Sequence, residues 1–285
     1  MRWYLLALPL RAWKNRKIVR SQENYSAFVR ECSESKAVAA RVQSGQQAGP
    51  YPEGPGSGWR YQCKRLPVHD ELQKTYGLEE LAGQGDTFTR ALRVMKWLTA
   101  HSWYCGMSSW SGALPDNGLK ILKFAYDKPF RYAINCRHKT YAFADCLISA
   151  GIAAIPLGII NDGYCHFVVH AWLPEERRWV MLDPSFDSYI TDETGRALNL
   201  IELHDCRRRG EALRVPQYNF NGTQDCRELY LEGFVLCCLW EISVYNGTGS
   251  KPTDTLNRLL PEGVTPDEKR KIITATELLA EPIIE

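Results

Sequence analysis

Cys136 stands where the sequence predicts the beginning of a helix, directly after Asn135, a residue type that caps helices well. Unpaired amide groups and the helix dipole place partial positive charge at such a position. The next three residues, Arg137, His138 and Lys139, are basic, although acidic residues would suit the first turn of a structural helix better. These features favour the thiolate, which is the nucleophilic form of cysteine. We therefore expect Cys136 to be reactive; a half-buried, inert cysteine is the alternative for this residue taken alone.

A histidine and an aspartate lie on two predicted strands further along the chain. The strands are separated by a proline and four charged residues, which predict a turn centred between Glu176 and Arg177. A simple hairpin about that centre places His170 directly opposite Asp183, with their Cβ atoms about 4.5–5.5 Å apart. Asp183 would then orient the imidazole and leave its second nitrogen for a nucleophile, as in a catalytic triad. A one-residue slip would put the two on opposite faces, and an ordinary cross-strand surface pair is the alternative.

Several helices and strands must position these residues. Helices are predicted where apolar residues recur at helical spacing, and strands where short apolar runs are bounded by turn residues. The predicted helices are 21–43, 86–104 and 136–150, and the predicted strands are 152–160, 164–173 and 178–182. The apolar stretch 229–245 fits either a strand or a helix.

Four short motifs occur in a fixed order over roughly residues 86–190. They are Asn135-Cys136-Arg137, Ala150-Gly151-Ile152, His170-Ala171-Trp172 and Leu182-Asp183-Pro184. This order resembles the transglutaminase-like superfamily, the branch of papain-like folds that includes transglutaminases, related proteases and peptide N-glycanases. The resemblance implies an α+β papain-like core, with the nucleophile at the N-terminus of a helix packed on an antiparallel sheet. It also implies that Cys136 is the nucleophile, His170 the general base and acid, and Asp183 the orienting carboxylate.

The chain departs from this family in two respects. Members often have Gly-Ile-Pro-Ala-Arg after the helix, whereas this chain has Gly-Ile-Ala-Ala-Ile at 151–155. The calcium-dependent animal members carry additional domains for which 285 residues leave no room. The first departure leaves the three catalytic positions in place, and the second puts the regulatory scheme of those enzymes in doubt.

An oxyanion and a metal site also have to be considered. The backbone amide of Cys136 is one candidate oxyanion donor. Trp103 is a second, because it precedes the cysteine at a distance resembling that of the tryptophan in animal transglutaminases; Trp110 and simple core packing are the alternatives. His166 and His170 lie about 13 Å apart along a strand, so they cannot share one zinc ion. We expect no metal and no other cofactor.

The composition favours a globular protein without a nucleic-acid or membrane partner. The 285 residues are 45% hydrophobic and 24% charged, and the net charge of +2 gives no overall attraction to anionic polymers or lipid surfaces. No segment approaches the ~20 apolar residues needed to span a bilayer. The ten cysteines lack a clear secretion signal before them, so a reducing cytoplasm is expected, with secretion as the alternative.

These features favour an enzyme that attacks the amide of a protein or peptide through a thioester. Hydrolysis is favoured over amine transfer because water needs no second site, and a non-catalytic peptide-binding module is the alternative. Four parts of the chain are expected: an N-terminal arm (1–43), a flexible Gly/Pro-rich linker or loop (44–58), the catalytic core (59–205) and a C-terminal extension packed on it (206–285).

Overall fold

The computed structural model describes residues 39–43, 47–106, 117–127, 133–161, 164–222, 227–249, 256–264 and 271–285. Residues 39–43 are helical. The helices after them are α1 (Pro67–Tyr76), α2 (Leu78–Ala82), α3 (Thr87–His101), α4 (Gly118–Ala125), α5 (Cys136–Ser149), α6 (Leu200–Arg208), α7 (Arg227–Tyr230), a π-helix (Leu231–Leu236) and α8 (Ala275–Leu279). The strands are β1 (Gln62–Cys63), β2 (Ala154–Asn161), β3 (Tyr164–Leu173), β4 (Arg178–Leu182), β5 (Glu241–Tyr245), β6 (Leu256–Leu259), β7 (Lys271–Ile272) and β8 (Ile283–Ile284).

A six-stranded sheet in the order β4-β3-β2-β5-β6-β7 forms the centre of the fold. Its neighbouring strands are antiparallel except for the parallel pair β6–β7. Helix α5 packs on β2 and β3, and α3 also contacts β3. The predicted α+β class, with the cysteine at the beginning of a helix that lies on an antiparallel sheet, is confirmed.

Helix α5 begins and ends through local sequence signals. The side chain of Asn135 accepts a hydrogen bond from the backbone N–H of His138 (3.0 Å), which satisfies one of the free amides of the first turn. At the other end the chain leaves the helix through Gly151, which adopts a φ of 76° that glycine tolerates best. The sequence therefore predicts this helix to within one residue, since it ends at Ser149.

The β3–β4 hairpin has the predicted strands but a different register. Both strands match the predicted bounds, Tyr164–Leu173 and Arg178–Leu182. The turn occupies residues 174–177, and His170 pairs with Met181 rather than with Asp183. The predicted pairing of His170 with Asp183 is therefore wrong by two residues. Because side chains alternate along a strand, a shift of two keeps every residue on its predicted face.

Residues before α1 form hydrogen bonds with residues near the C-terminal end of the chain. The Tyr51 hydroxyl donates to the carbonyl of Trp240 (3.0 Å), and the carbonyl of Pro52 accepts from Ala275 N–H (2.8 Å). The stretch 229–245 contains helical turns followed by strand β5, so it holds both of the structures that its pattern fits. Strands β5 to β7 lie beyond residue 205 and extend the sheet that carries β2 to β4. The division into four parts stays a prediction.

Among the described helices, none combines the length and the apolar character that crossing a bilayer would demand.

Candidate active site

Asp183 lies directly after β4, is fully buried and receives three hydrogen bonds. Its Oδ2 atom lies 2.7 Å from Nε2 of His166 and also accepts the hydroxyl of Tyr230 (3.0 Å). Its Oδ1 atom accepts the backbone N–H of Ser185 (2.9 Å). Hydrogen bonds of this kind fix the orientation of a carboxylate. The carboxylate of Asp183 is thereby directed at His166.

His166 links this carboxylate to the predicted nucleophile. Cys136 is the first residue of α5, is 9% exposed and lines the same cleft as His166. Burial alone would lower the pKa of His166, but the charge of Asp183 and its hydrogen bond, together with the hydrogen bond and charge of Cys136, raise this pKa well above its usual range. His166 thus lies between the carboxylate of Asp183 and the sulfur of Cys136, which is the place of a histidine that passes protons to and from a cysteine nucleophile.

His170 lies in a different environment. It is fully buried, its Nε2 atom accepts the backbone N–H of Leu200 (3.1 Å) at the beginning of α6, and its Nδ1 atom has no hydrogen-bond partner among the described residues. Burial, and then the charge of Arg178, lower the pKa of His170 to about 3. The ring is thus neutral and does not hydrogen-bond to Asp183. The predicted contact between His170 and Asp183 is wrong, and His166 takes that place.

The two-residue shift in register explains this exchange. Leu182 pairs with Val169, so Asp183 follows on the strand face that His166 and His170 share. On that face the carboxylate bonds to His166, while the Leu200 amide at the α6 terminus bonds to His170. The sequence places His166 on the same face of β3 as His170, so it was a possible partner of Asp183. Which of the two histidines contacts Asp183 depends on the length of the turn between the strands.

A cleft of about 450 Å³ opens beside Cys136. It lies between the beginning of α5, the first residues of β3 and the π-helix, and Gly233, Phe234 and Cys238 contribute to its wall. Tyr104 lines the cleft and Trp103 does not, so the structure gives no support to the oxyanion role predicted for Trp103, which stays a prediction. Trp110 lies outside the described residues.

The three basic residues after Cys136 differ in their surroundings. Burial, and then the charge of Arg137, lower the pKa of His138 to about 4. Burial lowers the pKa of Lys139 to about 7, against the opposing charges of Asp187 and Asp183. Arginine stays protonated at any physiological pH. At neutral pH, Arg137 is therefore the full positive charge that this turn presents to the cleft.

Within the described part of the chain, no three His, Cys, Asp or Glu side chains are grouped so that they could hold a metal ion. The eight described cysteines are all free thiols, and Cys165 is the exposed one among them.

Comparisons with known proteins add little to this geometry. No family model and no curated protein matches the chain. A solved structure called a "Putative Cysteine Protease", from Cytophaga hutchinsonii, is 15% identical over 53% of this chain and 50% of that protein, with a TM-score of 0.32. The chain thus spans about half the length of that protein, and a likeness this distant carries no argument about activity.

Proposed function

We propose that the protein is a cysteine-dependent acyl-transfer enzyme that hydrolyses an amide or peptide bond. Cys136 is the nucleophile, His166 the general base and acid, and Asp183 the residue that orients His166. The observation that carries the proposal is the buried hydrogen bond of 2.7 Å between His166 and Asp183, in a cleft that also contains Cys136. A histidine with a raised pKa that faces a cysteine at a helix terminus is typical of a functional site.

The reaction follows from these positions. The Cys136 sulfur uses an electron pair to form a bond to the carbonyl carbon of the amide, and the π electron pair of the C=O bond moves onto the carbonyl oxygen. The free amides at the beginning of α5, including that of Cys136, can donate to this oxygen. His166 then gives its proton to the leaving amine, and the C–N bond breaks to leave a thioester. His166 next takes a proton from water, which attacks the thioester and releases the acid.

Asp183 supports both proton transfers without accepting a proton itself. Its carboxylate stabilises the imidazolium that exists before the first transfer and again after water attacks. The hydroxyl of Tyr230 and the amide of Ser185 hold the carboxylate in place while the charge on His166 changes. Both partners are buried, so water does not compete for these hydrogen bonds.

The same three residues would also serve amine transfer, as in the transglutaminases that the sequence motifs resemble. Hydrolysis is the simpler outcome because the thioester needs only water, whereas transfer needs a second site that binds an amine and excludes water.

Turnover of a peptide library, with and without a primary amine, tests the proposal. Wild-type protein should release cleaved or deamidated products, and Cys136→Ala should release none. Cys165→Ala is the matched control, because Cys165 is a thiol that lines the same cleft. Products that carry the amine would identify a transferase. If the wild type and Cys136→Ala give the same products, or neither gives any, the proposal fails and a peptide-binding module takes its place.

A further inference from the structure

Aromatic and basic side chains line the cleft beside Cys136. Aromatic rings of Tyr104, Tyr164, Phe167 and Phe234 line it, and no Asp or Glu does so among the described residues. Arg137, next in sequence to the nucleophile, carries a positive charge on these walls, and His166 adds a second one when it is protonated. A largely apolar cleft whose charges are positive favours anionic ligands.

The guanidinium of Arg137 is held in place by aromatic side chains, including a hydrogen bond with Tyr141, and by no acid among the described residues. Its Cζ atom lies 5.8 Å from the ring centroid of Tyr141 and 5.8 Å from that of Phe167. Both contacts are within the range of a cation–π interaction, which orients the planar group without neutralising it. The Nε atom is buried and has no hydrogen-bond partner in the described part of the chain.

A guanidinium N–H without a partner is costly to keep unless a ligand satisfies it, and that of Nε has none among the described residues. Arginine offers a fork of N–H groups that matches the two oxygens of a carboxylate. A carboxylate bound at Arg137 would also be attracted to the first turn of α5, since the helix dipole is positive there.

We propose that Arg137 binds a carboxylate of the substrate and that the enzyme prefers acyl groups carrying this charge close to the scissile amide. This choice of substrate rests on the proposed function, whereas the anion site beside Cys136 does not depend on turnover. The carboxylate can come from an Asp or Glu side chain or from the C-terminus of a short peptide. The aromatic walls would hold the apolar remainder of either.

Two small alkylating reagents test the anion site separately from catalysis. Iodoacetate is anionic and iodoacetamide is neutral, and both alkylate the sulfur of Cys136. A site for carboxylates should raise the rate with iodoacetate relative to iodoacetamide. Mass mapping of the modified peptides separates Cys136 from the nearby Cys165.

Arg137→Gln should lower this rate ratio about fivefold, the size expected for one partly screened charge. Arg177→Gln is the matched control, because Arg177 is exposed and lies beyond the end of β3, about 20 Å along the strand from the cleft, and it should leave the ratio unchanged. Arg137→Lys should keep part of the preference. If Arg137→Gln slows both reagents equally, Arg137 acts only on the thiol and the proposal is overturned; an unchanged ratio overturns it too.

Peptides then test the substrate class. One set carries an acidic side chain and an amidated C-terminus, and the other has neutral side chains and a free C-terminus. The proposal predicts that at least one set is turned over at least fivefold faster than peptides lacking both charges, and that Arg137→Gln removes this advantage; the faster set identifies the source of the carboxylate. Equal turnover of charged and uncharged peptides overturns the substrate class. If the reagent ratio changes in Arg137→Gln but no peptide is turned over, the anion site stands and the proposed hydrolase fails.

Discussion

Two histidines lie on the same face of strand β3, four residues apart, and their surroundings give them opposite properties. His166 bonds to the buried carboxylate of Asp183 and has a pKa well above the usual range. His170 accepts a hydrogen bond from the Leu200 amide and has a pKa lowered to about 3. Both rings are buried, so burial does not distinguish them. The presence of an anion beside one ring, and of a hydrogen-bond donor beside the other, decides which of them can transfer protons near neutral pH.

This comparison assigns catalysis to His166 and stability to His170. The assignment predicts that equivalent substitutions at the two positions affect different measurements.

His166→Ala should lower kcat/KM for the best library peptide by about 10⁴-fold, because the described residues that line the cleft include no second histidine or acid to move the proton between the sulfur and the leaving amine. Steady-state kinetics of the purified variant measure this loss. His170→Gln is the matched variant, since it retains a hydrogen-bond acceptor near the Leu200 amide, and its kcat/KM should stay close to that of the wild type. The reverse pattern, with His170→Gln inactive and His166→Ala active, would contradict the assignment.

His170→Leu should lower the free energy of unfolding by about 2 kcal/mol, because the buried N–H of Leu200 loses its acceptor. Urea denaturation followed by circular dichroism measures this difference. His170→Gln should lose clearly less, since its amide oxygen can replace the ring nitrogen. Equal stability of the Leu variant and the wild type would mean that the hydrogen bond to Leu200 does not contribute.

Acid should destabilise the wild type through His170. Its pKa is lowered to about 3 in the folded protein and is about 6.5 in the unfolded chain, so between these values the unfolded state binds more protons and stability falls as the pH falls. At pH 5 the contribution of His170 is about 2 kcal/mol of lost stability. Urea denaturation at pH 7.5 and pH 5 should therefore show a loss about 2 kcal/mol larger in the wild type than in His170→Gln.

His166 contributes with the opposite sign to this pH dependence. Its pKa is raised on folding, so the stability that it contributes is fully present below the unfolded pKa and is lost as the pH rises through the folded one. An acid dependence that is identical in the wild type and His170→Gln would show that His170 is not held neutral by the fold.

Tyr230→Phe should have the smallest effect, a fall in kcat of about fivefold to tenfold, which corresponds to about 1 kcal/mol for one hydrogen bond. The hydroxyl of Tyr230 restrains Asp183 but is not among the groups that line the cleft. KM should therefore stay unchanged while kcat falls. Tyr189→Phe serves as the control, because Tyr189 lies outside the cleft and should retain both constants; a change of KM alone in Tyr230→Phe would argue against positioning.

Much of the site could be predicted from the sequence because the signals are local. Asn135 caps the helix that begins at Cys136, and Asp183 follows a strand whose bounds are clear from its apolar residues. The alternation of a strand also identifies the correct face of β3. Each of these depends on residues within a few positions of one another.

The histidine that contacts Asp183 could not be predicted in the same way, because the register of two paired strands depends on the turn between them. The turn 174–177 ends with Arg177 at a φ of 50°, an unusual value for a non-glycine residue, and placing its centre one residue later shifts the register by two. The contact of Tyr230 with Asp183 could not be predicted for another reason. Tyr230 lies 47 residues beyond Asp183, in a stretch whose pattern fits either a helix or a strand, so only the folded chain brings it to the carboxylate.

The rate of Cys136 alkylation by iodoacetamide, measured from pH 5 to pH 9 in the wild type, His166→Gln and His170→Gln, tests the central claim most directly and needs no substrate. The account predicts that the wild type and His170→Gln react rapidly already at acidic pH, since the imidazolium of His166 stabilises the thiolate. His166→Gln should react as an ordinary thiol does, with a rate that climbs only as the pH approaches about 8.5. A His166→Gln profile that matches the wild type, or a His170→Gln profile that loses the fast reaction, would contradict the claim that Cys136, His166 and Asp183 act together.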